Sequence, residues 1–243
     1  MGTPLCAAGG GAEYRRSGPG RYAQPIFGQT RAMKSPTPAV ILDLDGTLVD
    51  SVVLHVVTWH NALTDAGRNV PAWRIHEGIG MGGERLVPWL LGEHVEEADA
   101  LAEVHKKLFL EHASELVPTP GAHALLDDLR RRDVPFVVAT SAGEETSQAL
   151  LEALGNPEVE VCNADSVDSP KPAPDLLAEA LNELGIGAED ATMVGDSPWD
   201  AEAADRLGVR MLAVRCGGFG DGRLLDAGAA AVVDDPRALV GRL

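Results

Sequence analysis

An unbroken apolar run, Ala39-Val40-Ile41-Leu42, ends on Asp43-Leu44-Asp45-Gly46-Thr47. Such a run reads as a buried strand. Alternation would put Asp43 and Asp45 on one side if the strand continued, and the Gly-Thr turn leaves both carboxylates at its carboxyl end. In open parallel α/β sheets that edge is where ligands bind. Paired carboxylates there can share a cation, or divide the work of nucleophile and general acid.

The chain after this strand alternates. Strands are expected at Ala39–Leu44, Pro135–Thr140, Val159–Cys162, Ala191–Val194, Val209–Val214 and Ala230–Val233, with helices at Gly121–Arg132, Glu144–Leu154, Pro174–Leu184, Pro198–Leu207 and Gly222–Asp226. Alternation of this kind implies βαβ units, and so an α/β fold with a doubly wound, Rossmann-like parallel sheet. Gly155 and Gly185 follow helical runs as stops, and Pro174 and Pro198 open helices where no N–H is needed. From about Val53 to Val117 the alternation lapses into helical patterns at Leu54–Ala66, Glu84–Leu91 and Glu96–Glu115, the last with Leu101, Val104, Leu108 and Phe109 on one face. This block reads as an inserted α-helical domain. The expected division is an N-terminal extension at 1–38, an α/β core at 39–53 and 119–243, and a helical cap at 54–118. Two linkers, near Asp50–Val52 and Pro118–Pro120, make a hinge geometrically plausible.

Residues 1–38 are rich in Gly, Pro, Arg and Ala. Five cations stand against Glu13 there, for a net charge of +4. Such a segment buries too little apolar surface to order itself and reads as a disordered tail; an Arg-rich targeting peptide is the lesser reading, and Met33 is an alternative start. The whole chain carries −17, which leaves −21 on the remainder and argues against nucleic acid as a partner. No apolar stretch approaches the ~20 residues that span a bilayer, so no membrane association is expected. Cys6, Cys162 and Cys216 form no zinc spacing and no disulfide frame, which fits a reducing, cytoplasmic setting.

Three further pieces fall at strand ends. Val137-Val138-Ala139-Thr140-Ser141 ends in hydroxyls able to hydrogen-bond a phosphoryl oxygen. Ser169-Pro170-Lys171-Pro172 holds a cation between two prolines. Met193-Val194-Gly195-Asp196-Ser197-Pro198-Trp199-Asp200 ends a strand in carboxylates as a helix begins. Together these supply what phosphoryl transfer through a covalent intermediate requires: a carboxylate nucleophile, and cations that let an anionic phosphate approach it. The acidic, oxygen-only ligands suit Mg²⁺. Each piece alone has a plainer meaning, as a turn, a strand-end hydroxyl, a solvated lysine or a helix cap; the weight lies in the ordered set.

In this order the four pieces resemble the haloacid dehalogenase-like hydrolase superfamily, and the inserted helices resemble the cap of its phosphoglycolate phosphatase and β-phosphoglucomutase branch. The resemblance implies that Asp43 attacks phosphorus to form an aspartyl phosphate. Asp45 then protonates the leaving oxygen, deprotonates the attacking water and lends its backbone carbonyl to the metal. Thr140, with Ser141, binds the transferring group, and Lys171 neutralises charge on Asp43 and the phosphate. The metal set is Asp43, Asp45 and Asp196, and Asp200 supports the metal shell or Lys171. Dehalogenases and phosphonatases lack the second acid, so its presence as Asp45 disfavours both; membrane transport ATPases carry threonine there. A phosphomutase keeps both aspartates, and Thr47 leans towards the phosphatase.

Within the cap, Ile79-Gly80-Met81-Gly82-Gly83-Glu84-Arg85 is a glycine-rich turn entering a helix. It either faces a substrate, with Gly82 and Arg85 in contact, or merely joins two helices. Arg74 is the other candidate cap cation. His55, twelve positions after Asp43, lines the site near the acid or is a buried structural histidine. Gly217-Gly218-Phe219-Gly220 reads as a flexible rim loop. The expected function is Mg²⁺-dependent hydrolysis of a small phosphate monoester by a monomer or homodimer. A β-phosphoglucomutase-like enzyme and a non-catalytic binding protein are the alternatives. Sugar phosphates, phosphoglycolate and nucleoside monophosphates all fit as substrates.

Overall fold

The structure, a computed structural model, describes residues 39–92, 97–163 and 174–243. The extension read at 1–38 lies outside the described residues. Six strands, β1 (Ala39–Leu42), β2 (Phe136–Ala139), β3 (Val161–Cys162), β4 (Ala191–Gly195), β5 (Arg210–Val214) and β6 (Ala231–Val233), form one sheet in the order β3-β2-β1-β4-β5-β6. Every pairing is parallel. The strand order reverses beside β1, which pairs with β2 on one edge and β4 on the other. That reversal opens the crevice in which doubly wound sheets bind ligands.

Both sheet faces are covered. Val40 and Leu42 of β1, with Val138, Val194 and Leu212, pack under α5 (Ala122–Arg131) and α6 (Glu144–Ala153). Ile41, the β1 residue between them, joins Val137, Met193 and Met211 under α7 (Pro174–Leu184), α8 (Pro198–Leu207) and α9 (Asp221–Asp226). Period-two alternation thus sends neighbouring β1 residues into opposite cores, which is why the strand is apolar throughout. β1 ends at Leu42, two residues sooner than its apolar pattern suggests. The chain folds back there, with the Leu48 and Val49 amides both donating to Leu44 O at 3.0 Å.

The helical block between β1 and β2 comprises α1 (Val52–Asp65), α2 (Ala72–Gly78), α3 (Gly83–Leu91) and α4 (Ala98–Glu111). It has its own apolar centre, including Trp59, Leu63, Ile75, Leu86, Val87 and Leu101. Three details differ from expectation. α2 is a helix for which the sequence shows no pattern, because seven residues are too few to display a 3.6-residue period. The helix expected over Glu96–Glu115 is α4 followed by a separate 3₁₀ turn, Ala113–Glu115. The buried stripe of α4 is Leu101, His105 and Phe109, spaced by four; Val104 is 42% exposed and Leu108 only half-buried. The two linkers lie side by side: Asp50 N–H donates to Val117 O (2.9 Å), Thr119 N–H to Leu48 O (3.0 Å) and Thr119 Oγ1 to Thr47 O (2.6 Å).

Ile41 is fully buried in the central strand. Ile41→Ala is expected to cost about 2–5 kcal/mol through lost transfer energy and a residual cavity, read as a lower urea midpoint at unchanged slope.

Candidate active site

Parallel pairing of β1 with β4 sets Leu42 opposite Val194, and Asp43 N–H donates to Val194 O at 2.9 Å. Asp43 and Asp196 therefore leave adjacent strands at one edge. Thr47 Oγ1 lies 2.9 Å from Asp43 Oδ2 and 3.1 Å from Asp196 Oδ1, and so ties the two together. Asp200 joins them from the first turn of α8. A capping box fixes it there: Ser197 N–H and Oγ–H donate to its Oδ2 (3.0 and 2.7 Å), and Asp200 N–H donates to Ser197 Oγ (3.2 Å). Pro198 opens that helix, as expected. One oxygen from each of Asp43, Asp196 and Asp200 lies within 4.8 Å of the others.

Two glycines make room for this convergence. Gly46 takes φ +71°, and a Cβ on it would stand 2.4 Å from Asp196 Oδ2. A Cβ on Gly217 would stand 1.7 Å from the same oxygen. The loop read from sequence as a flexible rim is thus a wall of the Asp196 seat, with Gly217 and Phe219 buried.

The electrostatics separate the carboxylates into two groups. Burial, then the charges of Asp200, Asp196 and Asp45, push Asp43 well above the ordinary carboxylate range. Burial and Asp200 push Asp196 up likewise, and burial raises Asp200 against the hydrogen bonds from Ser197. Asp45 goes the other way. Burial would raise it, but the His55 charge and hydrogen bonds from His55, Ser51 and Thr140 bring it below the ordinary value. Ser51 Oγ donates to Asp45 Oδ1 (2.7 Å), and His55 Nε2 lies 2.8 Å from the same oxygen. Ser51 occupies the N-cap position of α1 yet makes no side-chain cap bond, so its hydroxyl serves the acid instead of the helix. Three converging carboxylates, largely shielded from solvent and with raised pKa values, are an all-oxygen donor set short of positive charge. They fit a hard divalent cation such as Mg²⁺.

The structure brings together most of the residues singled out from sequence. Thr140 Oγ1 makes a long contact with Asp45 Oδ2 (3.4 Å) and accepts from Ala142 N–H (3.1 Å). Asp43, Ser141, Arg85 and Asp200 line one cleft of about 60 Å³. Gly82, at φ +83°, sits over Ser141: a Cβ on it would lie 3.9 Å from Ser141 Cβ. Arg74 instead stacks over the Trp89 ring (5.9 Å to the centroid). His55 is buried behind Asp45. Lys171 and the rest of its Ser-Pro-Lys-Pro segment lie outside the described residues. Sequence reasoning missed Ser51, Trp199, Arg206 and His105. Trp199 and Arg206 line the same cleft from α8, where their spacing with Ala203 on one helix face was the available signal. The unexpected α2 abuts the site's rim: His76 Nε2–H donates to Gly217 O (2.8 Å), Trp199 Nε1–H donates to Glu77 O (3.2 Å), and Glu77 pairs with Arg223.

Comparison with known proteins agrees with this geometry. The family model for haloacid dehalogenase-like hydrolases matches residues 37–208. A phosphoglycolate phosphatase of Rhodospirillum rubrum is 33% identical over 210 residues, covering 81% of this chain and 87% of its own. A plasmid-borne phosphoglycolate phosphatase of Cupriavidus necator is 34% identical over 212 residues, covering 84% and 92%. The crystal structure of a hydrolase from Pseudomonas syringae superposes with a TM-score of 0.79 at 34% identity, over 83% of this chain and 95% of that one. Among the described residues, no helix is long and apolar enough to cross a membrane.

The crowded carboxylates set how stability responds to pH and to metal. Raised folded-state pKa values mean that the metal-free native state binds protons more tightly than the unfolded chain. Its stability should therefore fall as pH rises through the raised range. Added Mg²⁺ should restore the Tm, by more at neutral than at mildly acidic pH. Asp196→Asn should raise the metal-free Tm and remove most of the Mg²⁺ response, both measured by thermal melts. Gly217→Ala should weaken the Mg²⁺ midpoint at least tenfold in the same titration, because its methyl group displaces the Asp196 carboxylate.

Proposed function

The chain belongs to the haloacid dehalogenase-like hydrolases and is a phosphoric monoester hydrolase, and from that premise we propose that it cleaves a small, doubly anionic phosphate ester of the phosphoglycolate kind through an aspartyl phosphate on Asp43. The observation that carries this proposal is the opposite treatment of neighbouring carboxylates. Asp43 belongs to the repelling triad, while Asp45 stands apart with two donors on one oxygen. Environments this different divide the roles: a cation held by the triad would keep Asp43 ionised as the nucleophile, and Asp45, outside that triad, is left for proton transfer.

In this mechanism Asp43 attacks phosphorus while Thr140 and Ser141 donate to the phosphoryl oxygens, and Lys171 balances their charge. Asp45, ionised in the free protein, takes a proton from solvent as the approaching phosphate dianion raises its pKa. It passes that proton to the leaving oxygen and then takes one from the water that hydrolyses the acyl phosphate. Mg²⁺, held by Asp43, Asp196 and the Asp45 carbonyl with Asp200 in support, would neutralise charge on the nucleophile and the phosphoryl group.

The substrate class rests on the cleft and on the relatives' names. A volume of about 60 Å³ is far below the roughly 300–1,000 Å³ of sites for drug-sized ligands. Arg85 from α3 and Arg206 from α8 both line it, although Arg206 is also paired with Glu202 at 3.2 Å. They supply cations for a second anionic group on a short substrate. We assign residues 54–118 as a cap that opens on the paired linkers to admit it.

Phosphate release should require Mg²⁺, fall by at least 10⁴-fold in Asp43→Asn, and fall by 10²–10⁴-fold in Asp45→Asn with KM little changed. Arg85→Ala should raise KM for phosphoglycolate more than for an alkyl phosphate that has no second anionic group. Unchanged turnover in Asp43→Asn, or isomerisation of a hexose 1-phosphate without phosphate release, would overturn the proposal.

A further inference from the structure

Behind Asp45 lies a second histidine that the mechanism above does not use. His105, on the buried stripe of α4, is 8% exposed, and its Nε2 lies 3.1 Å from His55 Nδ1. The three groups form a line: Asp45 Oδ1, the His55 ring, the His105 ring. Each end of that line constrains the next. An ionised carboxylate only accepts hydrogen bonds, so His55 Nε2 must carry a hydrogen to hold Asp45 at 2.8 Å. Of the facing nitrogens Nδ1 and Nε2, one must donate and the other accept. A neutral His55 needs His105 as donor; a charged His55 needs it as acceptor. Burial, and then the charge of His55, hold the His105 pKa down to about 2, so His105 is neutral and fills either role by choice of tautomer.

The rings cannot easily turn out of this arrangement. His55 stacks on Phe109 (centroids 4.1 Å, 12° between planes) and His105 on Trp59 (4.2 Å, 12°). Both pairs join α1 to α4, with His55 and Trp59 four apart on one helix and His105 and Phe109 four apart on the other. The two histidines are 5.2 Å apart at their centroids, with 24° between planes, close to an edge-to-edge hydrogen bond. A leucine would fill the same stripe position with better burial and no polar desolvation, so packing alone does not account for a histidine.

We propose that His105 is a positioning residue of the active site: its ring nitrogen holds His55 with Nε2–H directed at Asp45, which leaves the second Asp45 oxygen oriented for proton transfer with the leaving group. This rests on the acid–base role proposed for Asp45. Ser51 is the other donor on the held oxygen, and Thr140 stands at the second.

The test uses the full chain with Mg²⁺ and compares His105→Leu, His105→Gln and Asp45→Asn. Leucine removes the hydrogen bond at similar volume, whereas glutamine can present an amide group near the position of Nε2. Expected for His105→Leu is a kcat about tenfold lower on phosphoglycolate with KM within twofold, and for His105→Gln recovery of most of that loss. Two-dimensional ¹⁵N spectra of the histidine rings, assigned with His55→Asn, should show Nε2 of His55 protonated in the wild type and its Nδ1 signal moved in His105→Leu. A folded His105→Leu protein with unaltered kcat, or His105→Gln as slow as the leucine variant, overturns the proposal. If His105→Leu fails to fold, His105→Gln and the wild-type spectrum decide, and a wild-type His55 protonated on Nδ1 alone overturns it. Full activity in Asp45→Asn would instead sink the acid–base reading, while the ring spectra still report whether His105 holds His55.

Discussion

Mutual repulsion among Asp43, Asp196 and Asp200 sets the terms for everything around them. With oxygens up to 4.8 Å apart and an effective dielectric near 20, each pair of full charges repels by about 3 kcal/mol. Three such pairs approach the roughly 5–15 kcal/mol that holds a whole domain folded. The protein therefore cannot keep the site fully ionised for nothing; protons or a cation must share it. The local architecture serves this crowding. Thr47 bridges two of the carboxylates, a capping box anchors the third, and two glycines leave the Asp196 oxygen a seat that any side chain would fill.

The site's location follows from the sheet. Parallel strands with helices on both faces bury their strand interiors, so polar groups can gather only where strands end. Reversal of strand order beside β1 separates the flanking crossovers and leaves that end open. The parallel sheet and its ligand-binding edge were legible in the sequence, because the strands carry short apolar runs and several core helices a marked start or stop; the strand order was not. The pairing of Asp43 with Asp196 was legible too, since both end apolar runs that parallel pairing brings to one edge.

What stayed hidden depends on contacts between distant segments. α2 is too short to show a period, and its anchors, His76 to Gly217 and Glu77 to Trp199, join residues more than a hundred positions apart. Gly217 resembles any loop glycine until the approach of Asp196 is known. On α4 the hydrophobic pattern pointed to Val104 and Leu108, but helical phase seats His105 between Leu101 and Phe109. A polar residue on a buried stripe leaves no trace in a pattern built on apolar residues; only its partner on α1 gives it meaning. Lys171 is legible solely as a member of the ordered motif set.

The placement of His55 bears on how the proposed cap opening can coexist with the acid–base geometry proposed for Asp45. α1 is 14 residues, about 21 Å long, and His55 lies in its first turn, next to the paired linkers. Arg85 is carried by α3 and lines the cleft beside Asp43. Rotation about the linkers displaces groups in proportion to their distance from the axis. In the proposed opening, His55, one turn from the linkers, would therefore shift less than groups farther along α1. Helices that open the cleft to substrate can therefore keep the histidine pair on Asp45. The Ser51 hydroxyl, diverted from capping α1, pins the acid at the axis itself. In the proposed cap motion, the groups that hold Asp45 are thus the ones next to the linkers.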